Sequence, residues 1–269
     1  MTHRRDFLKH GATVAAAIAA ASAWRGPAGS LLAATPLVPS EMPDADDIKA
    51  LMMEALSAAT SGGATYADVR IGRQRQNFVF TREQQIQNVV DTDSVGCGVR
   101  ALVDGTWGFA ATRELTKDTV AAAAREAVAI AKAMRIARDR AIVLTPAPAF
   151  RDVAWKSAFT VDPFTVSVEE KADLLLKANA EALKAKGVKY VFSGLFFVKE
   201  ERNFASSDGS VISQTAVRSW PLMQITAISA DFTDFQNRGN VVAPMGRGWE
   251  YVLDCDLVGH AGKWGEEAA

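Results

Sequence analysis

Apolar residues first recur at helical spacing between Asp44 and Ala59, where Ile48, Leu51, Met52, Ala55, Leu56 and Ala59 share one face. Ser61-Gly62-Gly63 supplies the stop signal. The period then changes to two. Ala67, Val69 and Ile71 alternate with Asp68 and Arg70, which predicts a strand half-buried on a core. Phe78 and Phe80 continue in a second strand, Thr81 to Gln84 form a turn, and Gln85 to Val90 give a third strand. Val99 to Val103 and Thr106 to Ala111 flank Asp104-Gly105, the two-residue signal of a tight hairpin. A second helix is expected from Thr116, a favourable N-cap, to Ala137, its Ala-rich face suited to close packing.

The pattern then repeats in order. Pro146, Pro148 and Pro163 mark a connection over residues 138 to 166. Ser167-Val168-Glu169-Glu170 reads as a capping box, opening a helix with Ala172, Leu175, Leu176, Ala180 and Leu183, stopped by Gly187. Strands follow at Val188 to Val198, Arg202 to Ser206, Val211 to Ser219 and Leu222 to Ser229, with a turn at Ser207 to Ser210. The fold class this predicts is α+β, built as two-layer units of helices packed on antiparallel sheets. Tight turns rather than crossover helices join the strands, which excludes a doubly wound sheet. The expected organisation is an α+β unit over 44–137, a central α+β unit over 138–230, and the start of a further unit over 231–269. There, loop-like Asp234 to Gly239 and Met245 to Gly248 lead into Trp249-Glu250-Tyr251.

The N-terminus has a different character. Arg4-Arg5-Asp6-Phe7-Leu8-Lys9, followed by the mild apolar stretch Gly11 to Ala23, resembles a twin-arginine export signal. The signal is expected to occupy 1–34, with a proline-marked linker at 35–43. It implies the twin-arginine export machinery as a partner and the periplasm as destination, reached by an already folded protein. That compartment permits a disulfide, but nothing in the sequence brings Cys97 and Cys255 within bridging distance, and two unpaired thiols remain the simpler reading.

Of 269 residues, 49% are hydrophobic and 23% charged, and the 30 basic and 31 acidic side chains leave a net charge of -1. With no basic run after the signal, nucleic acid is not an expected partner, because phosphate neutralisation needs a clustered positive face. Gly96-Cys97-Gly98-Val99-Arg100-Ala101 matches a dinucleotide fingerprint in letters only, since a strand and not a helix follows it. His260 is the only histidine after the signal, so the chain lacks the histidine pair on which hydrolytic zinc sites are usually built, and His-Glu-x-x-x-His does not occur. No nucleophile elbow surrounds Ser206, Ser207 or Ser210. Arg70, Arg73 and Arg75 form a positive cluster, read either as a solvated face or as the wall of a peptide channel.

The stretch Ser94 to Thr112, with Gly96, Gly98, Gly105 and Gly108 in a hairpin, resembles the glycine-rich hairpin of the TldD/PmbA family. The Gly-Trp-Glu stretch at 248–250 resembles the lead into that family's catalytic domain. The resemblance covers roughly residues 45 to 269. It implies the front portion of a zinc metallopeptidase, with zinc as the cofactor of the full-length protein and none bound by this chain alone. It also implies a paired TldD/PmbA-type subunit, as a homodimer or heterodimer, and a peptide substrate. Some members are named for effects on DNA gyrase, to which the charge balance lends no DNA contact. On this reading Gly96, Gly98 and Arg100 are the candidate substrate-binding residues, where backbone can approach backbone. No catalytic or metal-ligating position can be transferred. A non-catalytic partner subunit and a periplasmic binding module are the rival readings.

Overall fold

Four strands of 17 to 19 residues dominate the structure: β1 (Tyr66–Arg82), β2 (Gln85–Val103), β5 (Val188–Ser206) and β6 (Val211–Ile228). They come from a computed structural model that describes residues 42–137 and 139–269. The export signal expected at 1–34 and most of the linker lie outside the described residues. With β3 (Thr106–Thr112), β4 (Val153–Lys156) and β7 (Phe235–Gly239) they form one seven-stranded sheet, ordered β3-β2-β1-β5-β6-β4, with β7 also on β6. All pairings are antiparallel except β4 on β6. The α+β class holds.

The strands are longer than the hydrophobic pattern indicates. β1 runs straight through Arg73-Gln74-Arg75-Gln76, where polar residues suggest a break, because it lies between β2 and β5 and its backbone is paired on both sides. The turn is tighter than expected: Thr81 is buried in the strand, and only Glu83-Gln84 reverse the chain, with Glu83 at φ 48°. β6 runs through Pro221. Ser219 N and Met223 N point away from β5, toward Met245 O and Asn240 Oδ1, so the nitrogen at Pro221, of the same parity, falls where no strand pairs. The Asp104-Gly105 hairpin is as expected, with φ of 48° and 75° suiting a primed turn.

Among the described residues, five α-helices lie on one face: α1 (Ala45–Ser61), α2 (Lys117–Met134), α3 (Val168–Ala182), α4 (Trp249–Asp254) and α5 (Leu257–Ala268). Asp44 caps α1 by accepting from Asp47 N at 2.9 Å. Thr116 and Thr119 form a reciprocal box on α2, while Ser167 gives α3 one half of its expected box, accepting from Glu170 N. α2 ends at Met134, and Arg135–Ala137 continue as a 3-10 turn. The helices gather two cores. α1 and α2 close over Val69, Ile71, Val99 and Ala101; α3, α4 and α5 close over Val79, Leu195, Phe197 and Met223. The two units expected at 44–137 and 138–230 share the sheet, because β1 pairs with β5 from Asp68↔Ser206 to Arg82↔Phe192. Trp249, Val252, Leu257 and Ala261, from the stretch expected to open a further unit, lie in the second core.

Candidate functional site

Alternation fixes the two faces of the sheet. In β1 the odd residues Ala67, Val69, Ile71, Asn77, Val79 and Thr81 are buried beneath the helices. The even residues Arg70, Gly72, Gln74, Gln76, Phe78 and Phe80 are partly or fully exposed on the opposite face, which no helix among the described residues covers. Register carries this open face across the sheet. Gly72 lies opposite Gly96 on β2 and Arg202 on β5, and Arg70 opposite Gly98 and Phe204. Toward the β1–β2 turn, Phe78, Phe80, Phe192, Phe196 and Trp220 pack edge-to-face and stacked, with centroids 5.0 to 6.3 Å apart.

Toward the other end the face is charged. Asp68 is fully buried under two guanidiniums. Arg100 donates to it through Nε at 3.0 Å and Nη2 at 2.6 Å, and Arg70 Nη1 lies 2.8 Å away. Hydrogen bonding to Asp68 raises the Arg100 pKa beyond its already high value. Arg100 also stacks over Trp107 and Arg70 over Phe204, at 5.0 and 5.3 Å from the ring centroids. Glu200 is held in the same way by Arg202 and Arg218. Burial pushes the Glu200 carboxyl up, but the hydrogen bonds from Arg218 and Arg202 outweigh it and hold it below the usual range.

The three sequence-selected residues therefore meet on one face, in different states. Gly96 and Gly98 border a shallow hollow with Phe109 and Thr112, and Gly96 also borders one of about 420 Å³ with Gly72 and Arg202. Arg100 is already committed to Asp68. The arginine cluster splits: Arg70 lies on the open face, whereas Arg73 and Arg75 turn toward the helix side, where Arg73 grips Asp93 and Arg75 lies over Phe164. Sequence reading missed Gly72, Arg202, Glu200 and Arg218. Gly72 was detectable as the glycine that interrupts the β1 alternation; Arg202 and Arg218 depend on the β1–β5–β6 register, which no local pattern reveals.

Other chemistry-bearing groups are dispersed. Cys97 and Cys255 are free thiols; burial pushes the Cys97 thiol up to about 11. Among the described residues, no three His, Cys, Asp or Glu side chains converge to hold a metal. His260 is exposed beside the Trp264 ring, while Asp254 pairs with Arg247 and Asp256 caps α5. The described residues thus do not fit a hydrolytic zinc ion.

Two domain profiles of one family match the chain: "PmbA/TldA metallopeptidase domain 1" over residues 67–131 and "PmbA/TldA metallopeptidase central domain" over 161–269. A protein of Methanocaldococcus jannaschii named metalloprotease is 25% identical over 155 residues, covering 57% of this chain and 34% of its own length. A metalloprotease of Methanothermobacter thermautotrophicus is 25% identical over 171 residues, covering 64% and 36%. The chain spans about a third of the length of these curated relatives. A solved structure from Thermotoga maritima, described as a candidate modulator of a DNA gyrase, superposes with a TM-score of 0.61 at 14% identity, over 82% of this chain and 47% of that one. TldE from Thermococcus kodakarensis superposes with a TM-score of 0.51 at 14% identity, over 81% and 46%. At these identities the two structures speak to the fold alone.

Proposed function

The chain belongs to the PmbA/TldD family, and from that premise we propose that it supplies the front architecture and part of the substrate cavity of a TldD/PmbA-type metallopeptidase. The relatives named metalloprotease imply a metal in the family. When bound in a full-length member, zinc would polarise the scissile carbonyl and activate water. This chain's residues serve the substrate instead. The observation that carries the reading is the sheet face left open by the described helices, where Gly72 and Gly96 lower the floor, the Phe109 ring lies over Gly98, and arginines line the sides. An extended peptide would lie against such a floor, with Gly96 admitting its backbone, the Phe109 ring over Gly98 as an apolar rim, and Arg100, anchored on Asp68, bounding the groove.

A paired TldD/PmbA-type subunit belongs to the same proposal. β3 pairs with β2 only from Cys97 to Val103, so the outer edge of β2 from 85 to 96 has no strand beside it among the described residues. Ile86 and Val89 are exposed on that edge, and unpaired backbone of this length is a template for strand addition. Export to the periplasm by the twin-arginine pathway remains part of the proposal, supported by the Arg4-Arg5 motif.

The test uses the 269-residue chain, a fluorescein-labelled casein digest and added zinc. Binding seen by anisotropy, with no new amino termini released, is the expected result. Hydrolysis by this chain alone would place the metal chemistry within it. Absence of peptide binding would remove the substrate-lining role.

A further inference from the structure

The open face is more positive than the chain that carries it. Two of its acids, Asp68 and Glu200, are 0% and 13% exposed, whereas the four arginines covering them, Arg70, Arg100, Arg202 and Arg218, are 41 to 59% exposed. Four guanidiniums over two carboxylates leave a surplus of two positive charges, in a protein whose overall charge is -1. The carboxylates are turned inward and occupied. What this part of the face presents to solvent is guanidinium, with five N–H donors per arginine and only some of them used.

These two clusters flank an empty place. Gly72 stands on β1 between them, opposite Arg202 and two residues from Arg70, so the two arginines are diagonal neighbours across a missing side chain. The resulting hollow has a volume of about 550 Å³, with Phe204 and Ile212 as apolar walls and Gln214 at its side. Gly72 has an ordinary strand conformation, and the one neighbour that a Cβ there would meet is Glu201 O, at 3.2 Å, a close contact on the strand side that leaves the space above it open. The vacancy is thus available space beside unsaturated guanidinium donors.

We infer that the hollow over Gly72 binds an oxyanion carried on a small apolar body, namely the side-chain carboxylate of an acidic residue of an extended peptide. Guanidinium forks match the planar geometry of a carboxylate, and the Phe204 and Ile212 walls would cover its methylenes. Inorganic phosphate offers the same oxyanion chemistry without the apolar body. The inference rests on the reading of the open face as peptide-lining, and deepens it by naming the class of residue preferred.

The test compares two fluorescein-labelled, C-terminally amidated hexapeptides that differ only in a central Glu or Gln, titrated against the intact chain. The Glu peptide should bind about tenfold tighter, and the advantage should shrink as salt rises. Arg202→Gln and Gly72→Val, each checked by its thermal transition, should bring the two peptides to within about twofold of each other. Equal affinity for the two peptides, or an advantage that survives both substitutions, overturns the inference while leaving peptide binding intact. If neither peptide binds but inorganic phosphate raises the melting temperature of the native chain and not of Arg202→Gln, the oxyanion site stands and its peptide source falls. If phosphate also has no effect, both readings fall.

Discussion

The two faces of the sheet use the same residue in opposite ways. On the covered face, Gly108 of β3 lies against α2, where a Cβ would come within 1.9 Å of Ala127 O and 2.5 Å of Ala131 N. Ala123, Ala124, Ala127 and Ala131 are all buried in α2, so the helix sits as close to the hairpin as backbone permits. On the open face, a Cβ at Gly72 or Gly96 would come no closer than 3.2 Å to anything beyond its chain neighbours. Glycine in a strand can mark a close approach or a vacancy, and only the neighbour across the sheet distinguishes them. The largest predicted effect follows. Gly108→Val must push α2 off β3, opening the first core, and should cost about 3 kcal/mol or more in urea denaturation. A loss under about 1 kcal/mol would show that the helix yields easily and would break the comparison.

The covered face is itself divided. The first core gathers apolar side chains and the Cys97 thiol, whereas α3 places Lys171 at 1% exposure beneath β1, donating to Asn77 Oδ1 at 2.7 Å with its ammonium 4.8 Å from the Phe197 ring centroid. Burial pushes Lys171 down to about 8; Arg75 pushes the same way, while Asp91, Asp162 and Glu170 pull it up. In the unfolded chain the same lysine titrates near 10.4. Between about pH 8 and 10.4 the unfolded state therefore holds the extra proton, and stability rises with pH through that window. The full rise is about 3 kcal/mol at roughly 1.4 kcal/mol per pH unit. Chemical denaturation from pH 7 to 10 should show it in the native chain and not in Lys171→Met. An equal rise in both would assign it to other groups.

This division explains how much was legible in the sequence. The α+β class, the helix starts at Asp44 and Thr116 and the Asp104-Gly105 turn follow from local chemistry, and the structure contains them. The breaks expected at Arg73 to Gln76 and at Pro221 are absent, because continuity there comes from strand partners far away in sequence. The site was legible in the same proportion. Gly96 and Gly98 were visible as a pattern within one hairpin. Gly72, Arg202 and Arg218 become neighbours only through the β1–β5–β6 register, and the burial of Asp68 needs two arginines from different strands.

A smaller effect separates polar burial from charge burial within the second core. Asn179 of α3 donates to Thr81 Oγ1 at 3.1 Å and to Glu83 O at 2.8 Å, and accepts from Ser193 Oγ at 2.8 Å. The network fixes α3 to the β1–β2 turn and to β5 at once. Asn179→Leu leaves Thr81 and Ser193 paired with each other, at 2.7 Å, but strips Glu83 O of this side-chain donor. The expected loss is about 2 kcal/mol, without the pH dependence of Lys171. A loss that varied between pH 7 and 10 would mean that the two buried groups act as one unit.

The smallest effect is the most exacting for the contrast between the faces. A glycine inside a strand costs roughly 0.5–1 kcal/mol relative to alanine, because it has more backbone freedom to lose on folding. Gly96→Ala recovers that term. Against it stands one contact, since the new Cβ would lie 3.3 Å from Thr112 O and needs a few tenths of an ångström of give. Thr112 is the last residue of β3, at the margin of the sheet, so its carbonyl can move without disturbing the ladder behind it. The two terms nearly cancel, and Gly96→Ala should melt within about 0.5 kcal/mol of the native chain. The same methyl placed at Gly108 meets the backbone of α2, which can give way only by opening the first core it shares with α1. If Gly96→Ala costs as much as a substitution at Gly108, the open face is covered by something that also needs its glycines, and the vacancy over β1 and β2 is a packing surface rather than a binding one.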